Sequence, residues 1–153
     1  EPNALRRSKA AESGALVFDH WDEGADVSSW VKDETDGVGA DKVFVCVGTV
    51  DAVNSGFGCV RKGGVVNIFG GLPGGSGLTI DPHILHYDEV IVTGSFGFTP
   101  RRFHTALTML TSGTIDVGGI ITHEFDIDEA KEAFDMASSG EALKILLKVD
   151  GNA

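Results

Sequence analysis

The stretch DKVFVCVG, residues 41–48, decides the fold class, because it is an almost unbroken apolar run that ends on a glycine. Such a run is typical of a strand that is covered on both faces of a parallel sheet. Two similar runs follow along the chain, GGVVNIFGG at residues 63–71 and DEVIVTGSFG at residues 88–97. We therefore expect three strands of one parallel sheet.

Segments that are typical of helices alternate with these strands. The predicted helices are residues 3–13, residues 26 or 28 to 37, and residues 49–61. A further short buried strand, ALVF at residues 15–18, is predicted between the first two helices. Strands that alternate with helices predict an α/β fold with a doubly wound parallel sheet.

The last third of the chain carries another series of helix and strand patterns. Thr99 is placed to cap a helix that begins at Pro100 and ends at Gly113. The apolar face of this helix is predicted to comprise Phe103, Ala106, Leu107 and Leu110. A strand at residues 119–125, a helix at 126–140 and a closing strand at 143–149 follow. The inward face of that last helix is predicted to comprise Ile127, Ala130, Phe134 and Ala137.

Length and charge limit the class of partner. The 153 residues are enough for one domain that buries roughly 70% of its unfolded surface. The net charge of −11 would repel nucleic acids and anionic lipid, and no apolar run approaches the roughly 18 residues of a membrane span. We therefore expect neither a nucleic-acid partner nor a membrane.

The cysteines and the first residue bear on the context of the chain. Cys46 and Cys59 form no Cys-x-x-Cys pair, so both are predicted to be buried free thiols of a protein in the reducing cytoplasm. The first residue is Glu1 and not methionine, and a helix pattern follows at once. This start predicts that the chain begins inside a larger protein.

The stretch VVNIFGGLPGGSG, residues 65–77, has the glycine content of a phosphate-binding loop. A dinucleotide loop, however, needs G-x-G-x-x-G between a strand and its helix. Four near matches lack the third glycine or have the wrong spacing: GVGADK, GFGCVR, GSGLTI and GGLPGG. We therefore predict a strand that ends at Phe69 and Gly70 and continues into a crossover segment.

The histidines and cysteines form no recognisable catalytic set. His83 and His86, spaced i and i+3 beside Asp81, are the one candidate metal group, and a single turn would make a weak site. The other histidines are isolated in the sequence: His20, His104 and His123. There is also no G-x-S-x-G nucleophile motif. We predict neither a catalytic residue nor a metal site in this chain.

The chain opens on an acid that precedes a polar helix carrying Arg6. After the second strand of a nucleotide-binding half, a carboxylate at this place accepts both ribose hydroxyls of the adenosine, and Glu1 would then favour NAD over a 2′-phosphorylated cofactor. The same carboxylate would also suit a helix-capping or merely terminal role. The residues alone leave both interpretations open.

Five segments fall in a fixed order along the chain. They are EPNALRRSKAAESGA (1–15), DETDGVGADKVFVCVG (33–48), VRKGGVVNIFGG (60–71), VIVTGSFGFTP (90–100) and ITHEFDIDEAKEAFDMASSGEALKILLKV (121–149). Together they resemble the second part of the zinc-type medium-chain dehydrogenases, close to sorbitol, threonine and related polyol dehydrogenases. The resemblance implies a Rossmann-like sheet, with a partial NAD(P)-binding domain at residues 1–99. It also implies a C-terminal helix-strand segment at 100–153, joined without a linker in one compact unit.

The resemblance assigns binding roles by position. Glu1 is similar to the ribose carboxylate, and Arg6 is similar to the basic side chain that lies over the adenosine. The remaining positions match backbone beside the cofactor (Val47, Gly48), beside the nicotinamide ribose (Phe69, Gly70) and at the carboxamide (Ser95, Gly97). Most of them act through main-chain atoms, which explains the small residues found there.

The implied activity of the parent enzyme is hydride transfer from a secondary alcohol to NAD, with zinc as a Lewis acid in a catalytic domain. That domain, the glycine loop and the first two strands would precede Glu1, and Val45 stands where relatives often have an acid. We therefore expect the cofactor-domain portion of such an enzyme, inactive alone, with weak or no NAD binding and zinc only in the absent domain. The alternative is a non-catalytic remnant that serves as an oligomeric binding or scaffold module.

Absence of the first two strands would leave ALVF without a neighbour and would expose an edge of the run at 41–48. We therefore predict that the strands are re-paired, either locally or across a dimer. In the resembling family the last Rossmann strand pairs with its counterpart in a second subunit. This predicts a homodimer through residues 89–96, and a small-molecule alcohol as the other partner of the parent enzyme.

Overall fold

The computed structural model describes residues 1–19 and 25–149. The helices are α1 (Ala4–Glu12), α2 (Val27–Asp33), α3 (Val50–Cys59), α4 (Pro82–His86), α5 (Pro100–Thr111) and α6 (Ala130–Ser139), with a 3₁₀ turn at Ile127–Glu129. The strands are β1 (Ala40–Val45), β2 (Val60–Ile68), β3 (Ile91–Gly94), β4 (Ile121–Asp126) and β5 (Lys144–Lys148). None of the helices in this described part is long and apolar enough to span a membrane.

Backbone contacts divide the chain into two compact units. One comprises residues 20–97, and the other comprises residues 1–19 together with 98–153. The sequence predicts a different division, at residue 99, with residues 1–19 on the Rossmann side. The contacts group these first residues with the C-terminal segment, and the predicted domain bounds stay a prediction. We call the two groups the sheet unit (20–97) and the terminal unit (1–19 and 98–153).

The sheet unit is built on a parallel three-stranded sheet in the order β1-β2-β3. Val43 pairs with Val66, and Val66 pairs with Val92, so the three apolar runs lie side by side in register. Parallel strands need a crossover between them, and α3 supplies the crossover from β1 to β2. The predicted α/β class with a parallel sheet is confirmed.

Helix caps in the sheet unit follow the sequence. The Asp26 carboxylate accepts hydrogen bonds from the N–H groups of Ser28 and Ser29, so α2 begins after Asp26 and not after Ser28. The Ser29 hydroxyl and the Ser28 amide stabilise the carboxylate and lower the pKa of Asp26. Thr49 caps α3 by accepting from the N–H of Ala52.

One face of this sheet forms the core. Val45 and Val66 of the sheet pack with Val53 of α3 and with Val90, and both Val53 and Val66 are fully buried. Gly56 lets α3 approach the sheet closely, because a Cβ there would lie 3.0 Å from a Val45 methyl carbon. The cluster therefore joins sheet and helix through small and β-branched side chains.

The other face of the sheet is exposed. Phe44 of β1 is 63% exposed and Ile91 of β3 is 57% exposed, although both occupy apolar strands. The expectation that the run at 41–48 is covered on both faces is therefore wrong for the described chain, since α3 packs on one side only. Cys46 is also exposed and not buried as predicted, because it follows the last residue of β1, whereas Cys59 is buried.

The predicted strand at residues 15–18 does not form. These residues have no regular structure and Leu16 is exposed, because an isolated short segment without a neighbouring strand gains no ladder hydrogen bonds. The strands of the sheet unit pair in ordinary parallel order. The prediction that the strands re-pair locally is therefore wrong for residues 1–19 and 25–149. The prediction that they pair across a dimer stays a prediction.

The terminal unit contains α1, α5, α6 and the parallel pair β4-β5. The Thr99 hydroxyl accepts from the N–H of Arg102, so the predicted cap of α5 is confirmed. Gly140 ends α6 in the left-handed conformation at φ 80°, where glycine is favoured.

Burial on the helices of the terminal unit differs from prediction. The predicted apolar face of α5, Phe103, Ala106, Leu107 and Leu110, is exposed, whereas Met109 is half-buried. On α6, Phe134 is 68% exposed, Ala137 is also exposed and Ala130 is half-buried, whereas Ala133 is buried. Ile127, in the 3₁₀ turn before α6, is exposed as well. The predicted inward face of α6 is therefore wrong at Phe134, Ile127 and Ala137, because a two-stranded sheet covers only a narrow stripe of the helix.

Replacement of Val66 by alanine tests the core of the sheet unit. Val66→Ala removes two methyl groups from a fully buried position and is expected to lower the free energy of unfolding by about 2 kcal/mol. Val38→Ala makes the same change at a residue that is 60% exposed and is expected to change it by less than about 0.5 kcal/mol. Urea unfolding measures both, and equal shifts would contradict the assignment of the core.

Candidate functional site

The three parallel strands end side by side at one edge of the sheet. Val45, Ile68 and Gly94 occupy paired positions at these ends. In open α/β sheets, ligands bind outside this carboxyl edge, because the loops that follow the strands meet there. The structure brings six predicted binding positions to this edge, each within three residues of a strand end: Val47, Gly48, Phe69, Gly70, Ser95 and Gly97. Their role in binding stays a prediction.

A close backbone contact joins the ends of β1 and β2. The N–H groups of Phe69 and Gly70 both donate to the carbonyl oxygen of Val45, at 3.0 and 2.8 Å. A Cβ on Gly70 would lie 2.7 Å from the carbonyl carbon of Val47, which real side chains do not tolerate. Gly48 faces a neighbouring carbonyl group in the same way. Glycine at these positions therefore permits the close approach of backbone.

Exposed apolar side chains line this edge. Val47 and Phe69 are more than half exposed, and Phe96 is fully exposed. The loop between β1 and α3 is short: it comprises residues 46–49, and Thr49 at its end caps α3. Apolar surface beside main-chain donors and acceptors suits a flat, mostly apolar ring with a few polar groups.

The end of β3 is tied to β2 by backbone and by side chains. The Ser95 N–H donates to the carbonyl oxygen of Ile68 at 3.2 Å, and the Asn67 side-chain amide donates to the Ser95 hydroxyl at 2.9 Å. The Asn67 Oδ1 atom is buried and accepts no hydrogen bond within the described chain, which costs about 1–3 kcal/mol. Sequence reasoning missed Asn67. The one signal for it is a polar residue inside an apolar strand.

Glu1 and Arg6 lie in the terminal unit at the start of α1. The Glu1 carboxylate accepts from the N–H of Asn3 at 2.9 Å, and the Asn3 side chain caps α1 by accepting from the N–H of Arg6 at 3.1 Å. The contact of Glu1 supports the start of the helix, in agreement with the capping interpretation, and its ribose role stays a prediction. The Asn3 amide also donates to the carbonyl oxygen of Gly140 at 3.2 Å and so ties α1 to the end of α6.

Arg7, which sequence reasoning did not single out, organises the first residues. Its guanidinium donates to the carbonyl oxygens of Glu1 and Pro2 at 2.8 and 2.7 Å and pairs with the Asp19 carboxylate at 2.8 Å. The Arg7 side chain is largely buried, so this contact is shielded from solvent better than a surface pair. Its neighbour Arg6 is exposed and forms no salt bridge among the residues that the structure describes.

A cavity of about 320 Å³ lies in the terminal unit beside Arg6. Its lining surface is about equally polar and apolar, with Ala133, Phe134 and Ile145 among the lining residues, and Lys144 of β5 is a second cationic residue of the lining. Within the described ranges neither cation has a salt-bridge partner, in a chain whose net charge is −11. A lining of mixed polarity with two cationic residues suits an anionic ligand that carries a ring. Sequence reasoning missed Lys144, because it lies 138 positions after Arg6.

The candidate metal group at the start of α4 does not assemble. The Asp81 carboxylate caps the helix by accepting from the N–H of His83 at 2.9 Å, and the rings of His83 and His86 pack on Tyr87 at 4.8 and 4.6 Å. Across residues 1–19 and 25–149, no three His, Cys, Asp or Glu side chains lie together as a metal-ligand group. The described residues therefore do not fit a zinc ion. His20 lies outside them.

The cysteines and remaining histidines do not form an activated pair. Burial raises the pKa of the Cys59 thiol, so it stays protonated and unreactive at neutral pH. The Cys46 thiol is exposed and points to the carbonyl oxygen of Phe44. His104 is exposed on α5, and His123 is half-buried next to the Thr122 hydroxyl.

Comparison with known proteins agrees with the parallel α/β sheet. Residues 1–112 match the sequence family described as zinc-binding dehydrogenase. A sorbitol dehydrogenase of Halalkalibacterium halodurans is 32% identical over 149 residues, a match that covers 94% of this chain and 41% of the relative. The chain therefore belongs to the zinc-binding dehydrogenase family, and it spans about two fifths of the length of this relative.

Solved structures share the fold. A 2R,3R-butanediol dehydrogenase from Bacillus subtilis superposes with a TM-score of 0.86 at 23% identity, covering 98% of this chain and 42% of that one. A protein of Sinorhizobium meliloti 1021, described as a zinc-binding dehydrogenase bound to NADP, superposes with a TM-score of 0.85 at 26% identity and covers 97% and 44%. The predicted Rossmann-like fold class is thereby confirmed.

Replacement of Gly70 tests the close contact at the carboxyl edge. Gly70→Ala would place a Cβ 2.7 Å from backbone and is expected to lower the free energy of unfolding by about 1–3 kcal/mol. Gly71→Ala is the matched control, since nothing lies within 4 Å of a Cβ there and its change is expected to stay below about 0.5 kcal/mol. Thermal unfolding of both variants measures the difference. A Gly70→Ala variant as stable as its control would show that the backbone contact is loose.

Proposed function

We propose that this chain is the cofactor-domain portion of a zinc-dependent, NAD-preferring alcohol or polyol dehydrogenase. The parent enzyme would transfer a hydride from a secondary alcohol to NAD, and the isolated chain would be inactive. The main support is the convergence of six expected cofactor positions on the carboxyl edge of a parallel sheet, in a chain of this family.

The carboxyl edge of the sheet unit is proposed to bind the nicotinamide half of the cofactor. The exposed apolar side chains of Val47 and Phe69 suit the ring and its ribose, and glycine at position 70 leaves the backbone there without a covering side chain. Gly97, at φ 62°, allows the turn that follows Ser95. Polar main-chain groups here would orient the carboxamide without adding charge.

The cavity of the terminal unit, taken by itself, is proposed to bind an adenosine phosphate. Its lining offers apolar side chains such as Phe134 for the base, and the cationic residues Arg6 and Lys144 for phosphate. Glu1, at the start of α1, is proposed to accept the ribose hydroxyls and so to disfavour a 2′-phosphate by repulsion.

The division of chemistry follows from this assignment. When bound, the nicotinamide cofactor would supply the hydride acceptor, and this chain would bind and orient it at the carboxyl edge. The described residues include no zinc-ligand group, so activation of the alcohol is not assigned to them. The cytoplasm is the proposed location, because Cys46 and Cys59 are free thiols.

Removal of the Lys144 charge tests the adenosine-phosphate assignment. In the complete polypeptide that the gene encodes, Lys144→Ala is expected to raise the Kd for both NADH and ADP-ribose by about five- to twentyfold, because a charge-assisted contact with phosphate is lost. Lys131→Ala on α6 removes the same charge outside the cavity and is expected to leave both values unchanged. Isothermal titration at two salt concentrations measures the effect.

Two further results would decide against the proposal. Tighter binding of NADPH than of NADH, unaffected by Glu1→Gln, would contradict NAD preference and the role of Glu1. Absence of a G-x-G-x-x-G motif about 20 residues upstream of Glu1 in the gene, or of a Cys/His/Glu set before it, would contradict the parent enzyme. An in-frame start codon directly before Glu1 would favour the non-catalytic remnant instead.

We also propose that the chain forms a homodimer through the strand at residues 89–96. β3 is an edge of the sheet, and no strand in the described part of the chain covers its outer side. Ile91 is exposed on this strand and Phe96 is exposed directly after it. An uncovered edge presents unpaired N–H and C=O groups that pair readily with another chain.

A proline on the outer edge of β3 tests this dimer. Because the Ser95 N–H points towards β2, the N–H of the preceding residue, Gly94, points outward. Gly94→Pro is therefore expected to block pairing with a second chain and to give a monomer at micromolar concentration, whereas Gly94→Ala should remain a dimer. Sedimentation velocity measures the masses, and an unmodified chain that is monomeric there would overturn the proposal.

A further inference from the structure

Asn67 occupies an unexpected place for an amide side chain. Its neighbours in β2, Val66 and Ile68, are apolar parts of the core cluster or packed against it. Asn67 is in register with Thr93 of β3, so its side chain and that of Ser95, two residues later, lie on the same face of the sheet. The amide donates to the Ser95 hydroxyl at 2.9 Å, while its oxygen stays buried without a hydrogen bond from the described residues.

This arrangement is unfavourable for stability alone. A valine at this position would suit a strand better and would bury no unsatisfied acceptor. The hydrogen bond, in contrast, holds a segment with few other restraints. Residues 95–97 are exposed, and the one other hydrogen bond of Ser95 is the 3.2 Å backbone contact with Ile68, as far as the chain is described. The Asn67 amide therefore contributes more to fixing the position of Ser95 than to the stability of the fold.

We propose that Asn67 is a positioning residue for the nicotinamide half of the cofactor. It fixes the end of β3 against β2 and so sets the main-chain groups of Ser95 and the following residues for the carboxamide. This inference rests on the proposed binding of a nicotinamide cofactor at the carboxyl edge. It adds a side chain that acts through Ser95 and does not itself touch the cofactor.

The test compares a ligand that contains nicotinamide with one that lacks it, in the complete encoded polypeptide. Asn67→Val removes the donor of the hydrogen bond between Asn67 and Ser95, and Ser95→Ala removes its acceptor. Both are expected to raise the Kd for NADH about fivefold and to leave the Kd for ADP-ribose unchanged. The double variant should lose no more than either single variant, because the two residues form one interaction.

Two controls separate positioning from general damage to the fold. Ser95→Thr keeps the hydroxyl and should retain the NADH affinity, and Thr93→Ala, on the same strand face, should change neither Kd. The melting temperature of Asn67→Val should equal or exceed that of the unmodified protein, since the buried acceptor is removed. Fluorescence of bound NADH provides a second readout, and we expect its emission to shift only in the variants that break the bond.

The outcomes distinguish the two proposals. If the unmodified polypeptide binds both ligands, and Asn67→Val and Ser95→Ala keep the ratio of the NADH and ADP-ribose Kd values of the unmodified polypeptide, the positioning role is wrong while the proposed function stands. If both ligands weaken equally, or Asn67→Val melts several degrees lower while Ser95→Ala retains NADH affinity, Asn67 is structural. If neither NADH nor ADP-ribose binds the unmodified polypeptide, both proposals are overturned.

Discussion

The carbonyl oxygen of Val45 accepts two hydrogen bonds, from the N–H groups of Phe69 and Gly70, and the carboxyl edge of the sheet depends on this contact. It draws the ends of β1 and β2 together more closely than any residue with a Cβ at position 70 would allow. The main chain at this edge is thus compact, and the side chains of Val47 and Phe69 are left outside it. The two hydrogen bonds to the Val45 carbonyl oxygen thus produce an edge of polar backbone that is bordered by apolar side chains.

The second organising feature is the one-sided core of the sheet unit. Small β-branched side chains pack against α3 on one face, while Phe44 and Ile91 remain exposed on the other. Exposed aromatic side chains also occur on α5 and α6, at Phe103 and Phe134. An apolar pattern in the sequence indicates which residues are suited to burial. Burial itself requires another element that packs on those residues, and the described elements of this chain cover only part of the apolar side chains.

The sequence predicts backbone positions at the carboxyl edge, whose binding role stays a prediction, and it does not predict the side chains of Asn67 and Lys144. The ends of apolar runs and the glycines after them are local features, so the positions at Gly48, Gly70 and Gly97 could be found from the order of residues. Asn67 and Lys144 act across long distances in sequence, on Ser95 and beside Arg6, and no local pattern marks them. Arg7 and Arg6 are adjacent in sequence, and only the structure shows that Arg7 is half-buried and Arg6 is exposed.

The sequence by itself determined the α/β class, the helix starts near residue 49 and at Thr99, and the family, because strand periodicity, capping residues and the order of motifs are local properties of the chain. The choice between Asp26 and Ser28 as the start of α2 needed the structure. Tertiary structure alone decided that residues 15–18 form no strand, that one sheet face stays exposed, and that α1 is tied to α6 through Asn3. Strand pairing, burial and long-range hydrogen bonds each need a partner surface brought near by the rest of the chain. Whether such a partner is present is a property of the folded molecule and not of any segment in it.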